Sequence, residues 1–461
     1  MGAVSCGQVL SALILVASIA IFLGIRAFLA PPPIPELGEK WWKASKPAEL
    51  DTSVRPFKIQ ISEEDLQDLK DRLNRTVPLQ SPLEDVKQHY GINTNTLKPI
   101  LEFWKTKYDW RKREEFFNQY PQFKTNIQGL DIHFIHVRPS ETKGVKVLPM
   151  LMLHGWPGSV REFYEIIPML TKPEKERDFV FELIIPSVPG YGFSEGAEVV
   201  GLNCAEIAII MKNLMDRLGF KQYYLQGGDW GAAIAADLAI LFPEKVIGIH
   251  SNLCFVNTPM SNFKYFLSGF IPYLFVDEGK EHLVSPVWDK IEFLMLEFGY
   301  THIQSTKPDT IGVALRDSPV GLAAYLLEKF TTWTNAAYKD LDSGGLTKKF
   351  TMEQLIDNVM IYWITRSSTT AMRLYAESVN RKHLATNMEG IPVQPPSGCS
   401  RFEKEILWFP ESVLTERFVN MVHISTHRDG GHFAAFEVPD VLAKDILQFT
   451  EIVERIIKEK S

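Results

Sequence analysis

The chain is short of cysteine. Its 461 residues include 4, namely Cys6, Cys204, Cys254 and Cys399, at long and irregular separations. No pair has the C-x-x-C spacing of a zinc or redox site. This excludes a small disulfide-framed scaffold and predicts free, buried thiols in a reducing compartment. Basic runs are missing too. Lys and Arg number 49 against 56 Asp and Glu, and the formal net charge is -7. A nucleic-acid binder carries a basic patch, so no nucleic-acid partner is expected. No internal repeat or low-complexity tract interrupts the chain. What remains is ordinary globular material, 45% hydrophobic and 23% charged. It is enough for a large core, as two or three average domains or as one large α/β domain with insertions.

Near the N-terminus the missing feature is a charge. Residues 9–25 are almost wholly apolar, residues 27–30 extend the run past Arg26, and no Lys or Arg precedes it. The run is long enough to cross a bilayer. A cleaved signal peptide wants a basic start and small residues at the cut. Here Phe28-Leu29-Ala30 is followed by Pro31. The expectation is therefore an uncleaved transmembrane anchor over residues 1–30. Arg26, Lys40, Lys43 and Lys46 all follow the apolar run, which leaves the bulk of the chain on the cytoplasmic side. On that orientation the sequon Asn74-Arg75-Thr76 never meets the glycosylation machinery. Met1-Gly2 resembles a myristoylation start, but Cys6 stands where Ser or Thr is needed.

Pro31-Pro32-Pro33 and Pro35 form a stiff spacer. Residues 31–126 read as an aromatic-rich N-terminal wrapping segment without chemistry of its own. A short strand is expected around Phe57-Lys58-Ile59. A helix should follow, capped by Ser62 with Asp65 in a capping box and Leu66, Leu69 and Leu73 on one face. From residue 127 apolar strand-like runs (131–137, 147–153, 181–185, 223–226, 246–250) alternate with helical ones (203–218, 232–241). That pattern predicts a parallel sheet covered on both faces. Over 254–383 the alternation gives way to a long helical stretch, read as a cap that supplies substrate contacts. Strand-like runs resume at Ile391 and at 422–425. The expected organisation is an anchor (1–30), a wrap (31–126), a core first part (127–253), a helical cap (254–383) and a core second part (384–461).

The strongest chemical signal is Gly227-Gly228-Asp229-Trp230-Gly231, after a short apolar strand and before a helix of small residues. This is the strand–turn–helix setting of a nucleophile elbow, with Asp at its centre. A carboxylate there displaces at carbon and forms an ester. It suits an alkyl substrate with a leaving group, such as an epoxide or a halide. The bland alternative is a helix-capping Asp with glycines that serve only the turn. The second signal, His154-Gly155-Trp156-Pro157-Gly158, sits where such folds place an oxyanion loop. The backbone N–H groups of Trp156 and Trp230 are expected to face the oxyanion. The third is Gly430-Gly431-His432-Phe433. A neutral His432 can take a proton from water, with His427, and less so His423, as rivals. A carboxylate must fix the base's tautomer, and Glu403 and Glu405 are the candidates. No metal or cofactor is required.

These motifs together resemble the microsomal epoxide hydrolases. So do Ser53-Val54-Arg55-Pro56-Phe57-Lys58, Gly129-Leu130-Asp131-Ile132-His133-Phe134-Ile135-His136-Val137, Thr306-Lys307-Pro308-Asp309-Thr310 and Gly430-Gly431-His432-Phe433-Ala434-Ala435-Phe436-Glu437. Within that family the chain is most similar to the insect juvenile hormone branch. The resemblance implies an α/β-hydrolase fold with a helical cap, on the membrane of the endoplasmic reticulum. It implies Asp229 as nucleophile and His432 as base. It assigns Glu405 as the orienting acid, through Phe402-Glu403-Lys404-Glu405, although Arg401 and Lys404 flank that acid and can pair with it. It also implies Tyr300 and Tyr375 as donors to the epoxide oxygen. The substrate implied is a small lipophilic epoxide, opened to a vicinal diol: an insect sesquiterpenoid epoxide ester, juvenile hormone, with a broad set of foreign epoxides as the alternative. Two rivals stand beside this reading. One is a haloalkane dehalogenase, which would use Trp230 for halide and need no tyrosine donors. The other is a catalytically silent hormone-binding protein on the same fold.

Overall fold

The computed structural model describes all residues except 1–13, 20–21, 25, 27–29, 141, 176 and 461. The expected anchor lies largely outside the described residues. Among the described residues no helix is long and apolar enough to cross a membrane.

The strands are β1 (Arg55–Phe57), β2 (Gln122–Ile127), β3 (Leu130–Val137), β4 (Lys146–Leu153), β5 (Phe179–Pro186), β6 (Tyr223–Gly227), β7 (Val246–Ser251), β8 (Ser397–Phe402) and β9 (Met421–His427). They form one sheet in the order β1-β2-β3-β5-β4-β6-β7-β8-β9. From β5 to β9 the pairing is parallel, as the continuous apolar runs predict. The edge formed by β1, β2 and β3 is antiparallel. In β4, Met150, Leu151, Met152 and Leu153 are all 0% exposed, and each such side chain contributes roughly 1.5–3 kcal/mol. Cys204–Arg217, Asp229–Leu241 and the long helix Pro439–Lys460 are the main helices packed on the sheet.

Three local expectations need correction. Ile391 is not in a strand; it follows the short turn Met388–Gly390. The strand that joins the sheet is β8, Ser-Gly-Cys-Ser-Arg-Phe. It carries no apolar run because Phe449 presses on its glycine: a β-carbon on Gly398 would lie 2.5 Å from that ring. Second, Cys254 and Cys399 are not free thiols. They form a disulfide with Cα atoms 6.1 Å apart. The residues are 145 apart in sequence, but Cys254 follows β7 and Cys399 lies in its neighbour β8. Cys204 is free and buried, as expected, and Cys6 lies outside the described residues. Third, β1 spans Arg55–Phe57, so Lys58 and Ile59 lie beyond it.

The first helix of the wrapping segment forms where Ser62 predicts, but without the capping box, since the Asp65 carboxylate accepts from the Ser62 hydroxyl instead of its N–H. Ser62 caps Glu63–Asn74 by accepting from the Asp65 N–H, and Leu69 and Leu73 are buried beneath it. The segment also reaches the centre of the molecule. Asp357, fully buried, accepts from Tyr108, Arg113 and Arg161. A buried charge cluster of this kind holds only while every member is present. Its helix, Met352–Thr365, lies between β7 and β8 in sequence. From it, Asn358 donates to the Pro157 carbonyl at 2.7 Å and Tyr362 to the Gly158 carbonyl at 2.7 Å. Wrap and helical insertion thus jointly fix the loop after β4.

Candidate active site

The Asp229 elbow is built by steric necessity. A β-carbon on Gly227 would lie 2.5 Å from the Gly231 carbonyl oxygen, and one on Gly231 would lie 2.0 Å from that of Leu153. Only glycine lets β6 turn into the helix Asp229–Leu241 so tightly. Asp229 itself is held at φ 50°, a left-handed conformation uncommon for a residue with a β-carbon. Strain at such a position needs support from its surroundings. Here Asp229 Oδ1 accepts the Trp156 N–H at 2.8 Å. Gly155 is needed beside it, since a β-carbon there would meet Oδ1 at 2.1 Å.

His432 lies 3.4 Å from the other oxygen, Nε2 to Oδ2. Its Nδ1 is 2.7 Å from Glu405 Oε1. Glu405 is placed by the turn after β8, with its N–H on the Phe402 carbonyl. Of the two candidate acids, the structure brings Glu405 to the imidazole. Glu403 joins the β8–β9 end, with its N–H on the His427 carbonyl. Arg401 turns away, over the Trp408 ring at 4.8 Å. The rival histidines are occupied elsewhere. His423 and His427, with His250, all bond the buried Asp445 at 2.9–3.1 Å.

Burial alone would make His432 reluctant to carry charge. Glu405 and Asp229 outweigh that and hold its imidazole well above the usual histidine range. The two carboxyl groups on either side of the ring thus favour its protonated form in the resting site.

The tyrosines implied by the resemblance are both buried beside this group. Tyr300 stacks on Trp156, centroids 5.1 Å apart and nearly parallel. Tyr375 stands edge-on to Trp230 at 4.8 Å and to Tyr300 at 5.8 Å. Burial, and for Tyr300 next the charge of Asp229, pushes their phenols above the usual range, so both keep their protons. The Tyr375 hydroxyl is buried, with the Tyr300 hydroxyl and the Trp230 indole as its polar neighbours and neither at full hydrogen-bond geometry. Such a donor is available to a substrate oxygen. Of the expected oxyanion pair, the Trp156 N–H is on the carboxylate. Trp230 contributes its indole to the wall by Tyr375.

Two contributors carry no signal that sequence reading could use. Trp333, fully buried, accepts the His432 N–H on its carbonyl at 3.0 Å and packs its ring 4.7 Å from the imidazole. Lys329 lies over the Tyr300 ring at 4.7 Å. Both sit in the helical stretch where aromatic residues are scattered without a motif. Among the described residues no cluster of His, Cys, Asp and Glu has the arrangement of a metal site.

Comparison with known proteins gives the family. Residues 54–163 match the epoxide hydrolase N-terminus family and residues 149–268 the alpha/beta hydrolase fold. Juvenile hormone epoxide hydrolase 1 of Ctenocephalides felis is 48% identical, over 97% of this chain and 96% of its own length. Epoxide hydrolase 1 of Sus scrofa is 46% identical, over 91% and 94%. The crystal structure of juvenile hormone epoxide hydrolase from Bombyx mori superposes with a TM-score of 0.88 at 47% identity, covering 91% of this chain and 99% of that one. The chain belongs to the epoxide hydrolase family, on an α/β-hydrolase fold.

Proposed function

We propose that the enzyme opens lipophilic epoxides, juvenile hormone foremost, through a covalent ester on Asp229. The observation that carries this reading is the contact chain Glu405–His432–Asp229, with the Trp156 N–H on the same carboxylate. Asp229 attacks an epoxide carbon and the C–O bond breaks. Tyr300 and Tyr375 donate to the oxygen as its charge develops. His432 then takes a proton from water, and the water oxygen attacks the Asp229 carbonyl carbon. The Trp156 and Trp230 amides receive the oxyanion. The alkyl oxygen leaves, is protonated, and departs as part of a vicinal diol.

The tyrosine pair favours an epoxide over a halide, which needs no proton donor. A silent binding protein would have no use for nucleophile, base and acid in bonding order. Juvenile hormone is the preferred substrate on two grounds. The relatives in flea and silkworm are named for it, and the tyrosines stand in an aromatic wall that suits an apolar chain. Labelled juvenile hormone run beside styrene oxide tests this. The hormone is expected to give the higher kcat/KM by at least about tenfold, and Tyr300→Phe with Tyr375→Phe to slow ester formation by about 10³-fold together. Preference for styrene oxide would overturn the substrate assignment. Full activity in the double variant would overturn the donor roles.

The same reading places the enzyme on the membrane of the endoplasmic reticulum through residues 1–30, in a single pass with the catalytic part cytoplasmic. Basic residues only after the apolar run support that side. The Cys254–Cys399 disulfide points to an oxidising compartment instead. The exposed Asn74 decides between them. It is expected to stay unglycosylated in microsomes, and a glycan there would put the catalytic part in the lumen.

A further inference from the structure

We infer that Glu162 holds and orients the water that hydrolyses the Asp229 ester. This rests on the two-step reading above and adds a residue that reading does not use. A cavity of about 10 Å³ lies against Asp229, with Gly158, Glu162, Gly228, Asn252 and His432 among its lining. That is room for the centre of one water molecule. Neither Tyr300 nor Tyr375 lines it. An epoxide held by the tyrosines and a water in this cavity therefore meet Asp229 from different directions. The cavity borders both groups that hydrolysis requires, the carboxyl under attack and the imidazole that accepts the proton.

Glu162 reaches the cavity by a specific local arrangement. Ser159 caps the short turn Val160–Phe163, and the Glu162 N–H is tied to the Ser159 carbonyl at 3.1 Å. The carboxyl then folds back over Gly158. A β-carbon at Gly158 would lie 1.3 Å from Glu162 Oε1. Glycine in the loop after β4 thus makes the space that the Glu162 carboxyl fills. Burial pushes this carboxyl up to about 8, with His432 opposing the rise and Asp229 adding to it. A protonated carboxyl offers one donor and one acceptor, which suits a water that must keep one lone pair for attack. On the other wall, Asn252 is held by Gln226 at 2.9 Å. In the step itself the proton passes from water to His432 Nε2. The new C–O bond forms at Asp229, the ester C–O bond breaks, and His432 returns the proton to the departing alkoxide. Glu162 fixes the water and is not consumed.

Pre-steady-state kinetics on three variants test the inference, with stopped-flow fluorescence and intact mass following the ester. In Glu162→Leu the ester is expected to form within about threefold of the wild-type rate but to decay about 10²-fold more slowly. It then accumulates, and kcat and KM fall together. Glu162→Gln, which keeps a donor and an acceptor, should decay within about fivefold of wild type. If Glu162→Leu does not fold, Glu162→Ala is read in its place, with decay slowed at least about tenfold. Ester decay at the wild-type rate in the leucine or alanine variant overturns the inference. So does slowing of both steps alike, or failure of glutamine to rescue. Absence of any ester in wild type and in His432→Gln would instead remove the two-step scheme itself.

Discussion

Asp229→Ala should lose kcat/KM by about 10⁴-fold or more, because no other group at the elbow can form the ester. The variant keeps His432, Glu405 and the Trp156 N–H, so only the nucleophile is removed. Its backbone is a complication, since alanine at φ 50° carries the left-handed strain without the contact to Trp156 that supports it. Asp229→Gly removes that strain and should be equally inactive. Diol formation from labelled epoxide, measured in both variants beside their thermal midpoints, separates lost chemistry from lost folding. Activity above about one per cent of wild type in either variant would refute the covalent scheme.

His432→Gln should behave differently. Turnover is expected to fall by about 10³-fold while the ester still forms and persists. The reason lies in charge. In the resting site Glu405 and Asp229 together outweigh burial and raise the imidazole's hold on a proton. Esterification turns Asp229 from an anion into a neutral group. One of the two carboxylates that held the proton is then gone, and the imidazole becomes a base when a base is needed. Glutamine cannot make that change. Intact mass after mixing should show the variant heavier by one substrate, at Asp229 on peptide mapping, whereas wild type returns to its own mass. An unmodified variant that has lost activity would show that His432 acts before the ester, not after it.

Much of this site was legible because sterics left few alternatives. Gly227 and Gly231 announce the elbow, since a β-carbon at either would run into backbone. The strands that carry Asp229 and the His154-Gly155 loop are buried on both faces and read as apolar runs. Glu405 could be chosen over Glu403 only by resemblance, because both lie in one short turn. It is the fold of that turn that aims Glu405 at Nδ1 and ties the Glu403 backbone to β9. β8 stayed hidden because its residues are small where Phe449 packs on them. The disulfide stayed hidden because strand adjacency cannot be read from cysteine spacing. Trp333 and Lys329 had no signal at all. They lie in the helical insertion, where periodicity reports packing and says nothing about which ring faces the imidazole. Glu162 looked like one more acid in a turn. Only the absence of a side chain at Gly158 reveals where its carboxyl goes.

The order of the strands has a bearing on biosynthesis. Asp229 follows β6, ahead of the helical insertion, whereas Glu405 and His432 follow β8 and β9, beyond it. A nascent polypeptide whose translation has reached only that insertion holds the nucleophile without the imidazole that frees it. Any electrophile captured at that stage would stay attached. The helices that carry Tyr300 and Tyr375 are translated before the strands that place Glu405 and His432, so the residues that line the pocket precede the groups that discharge it.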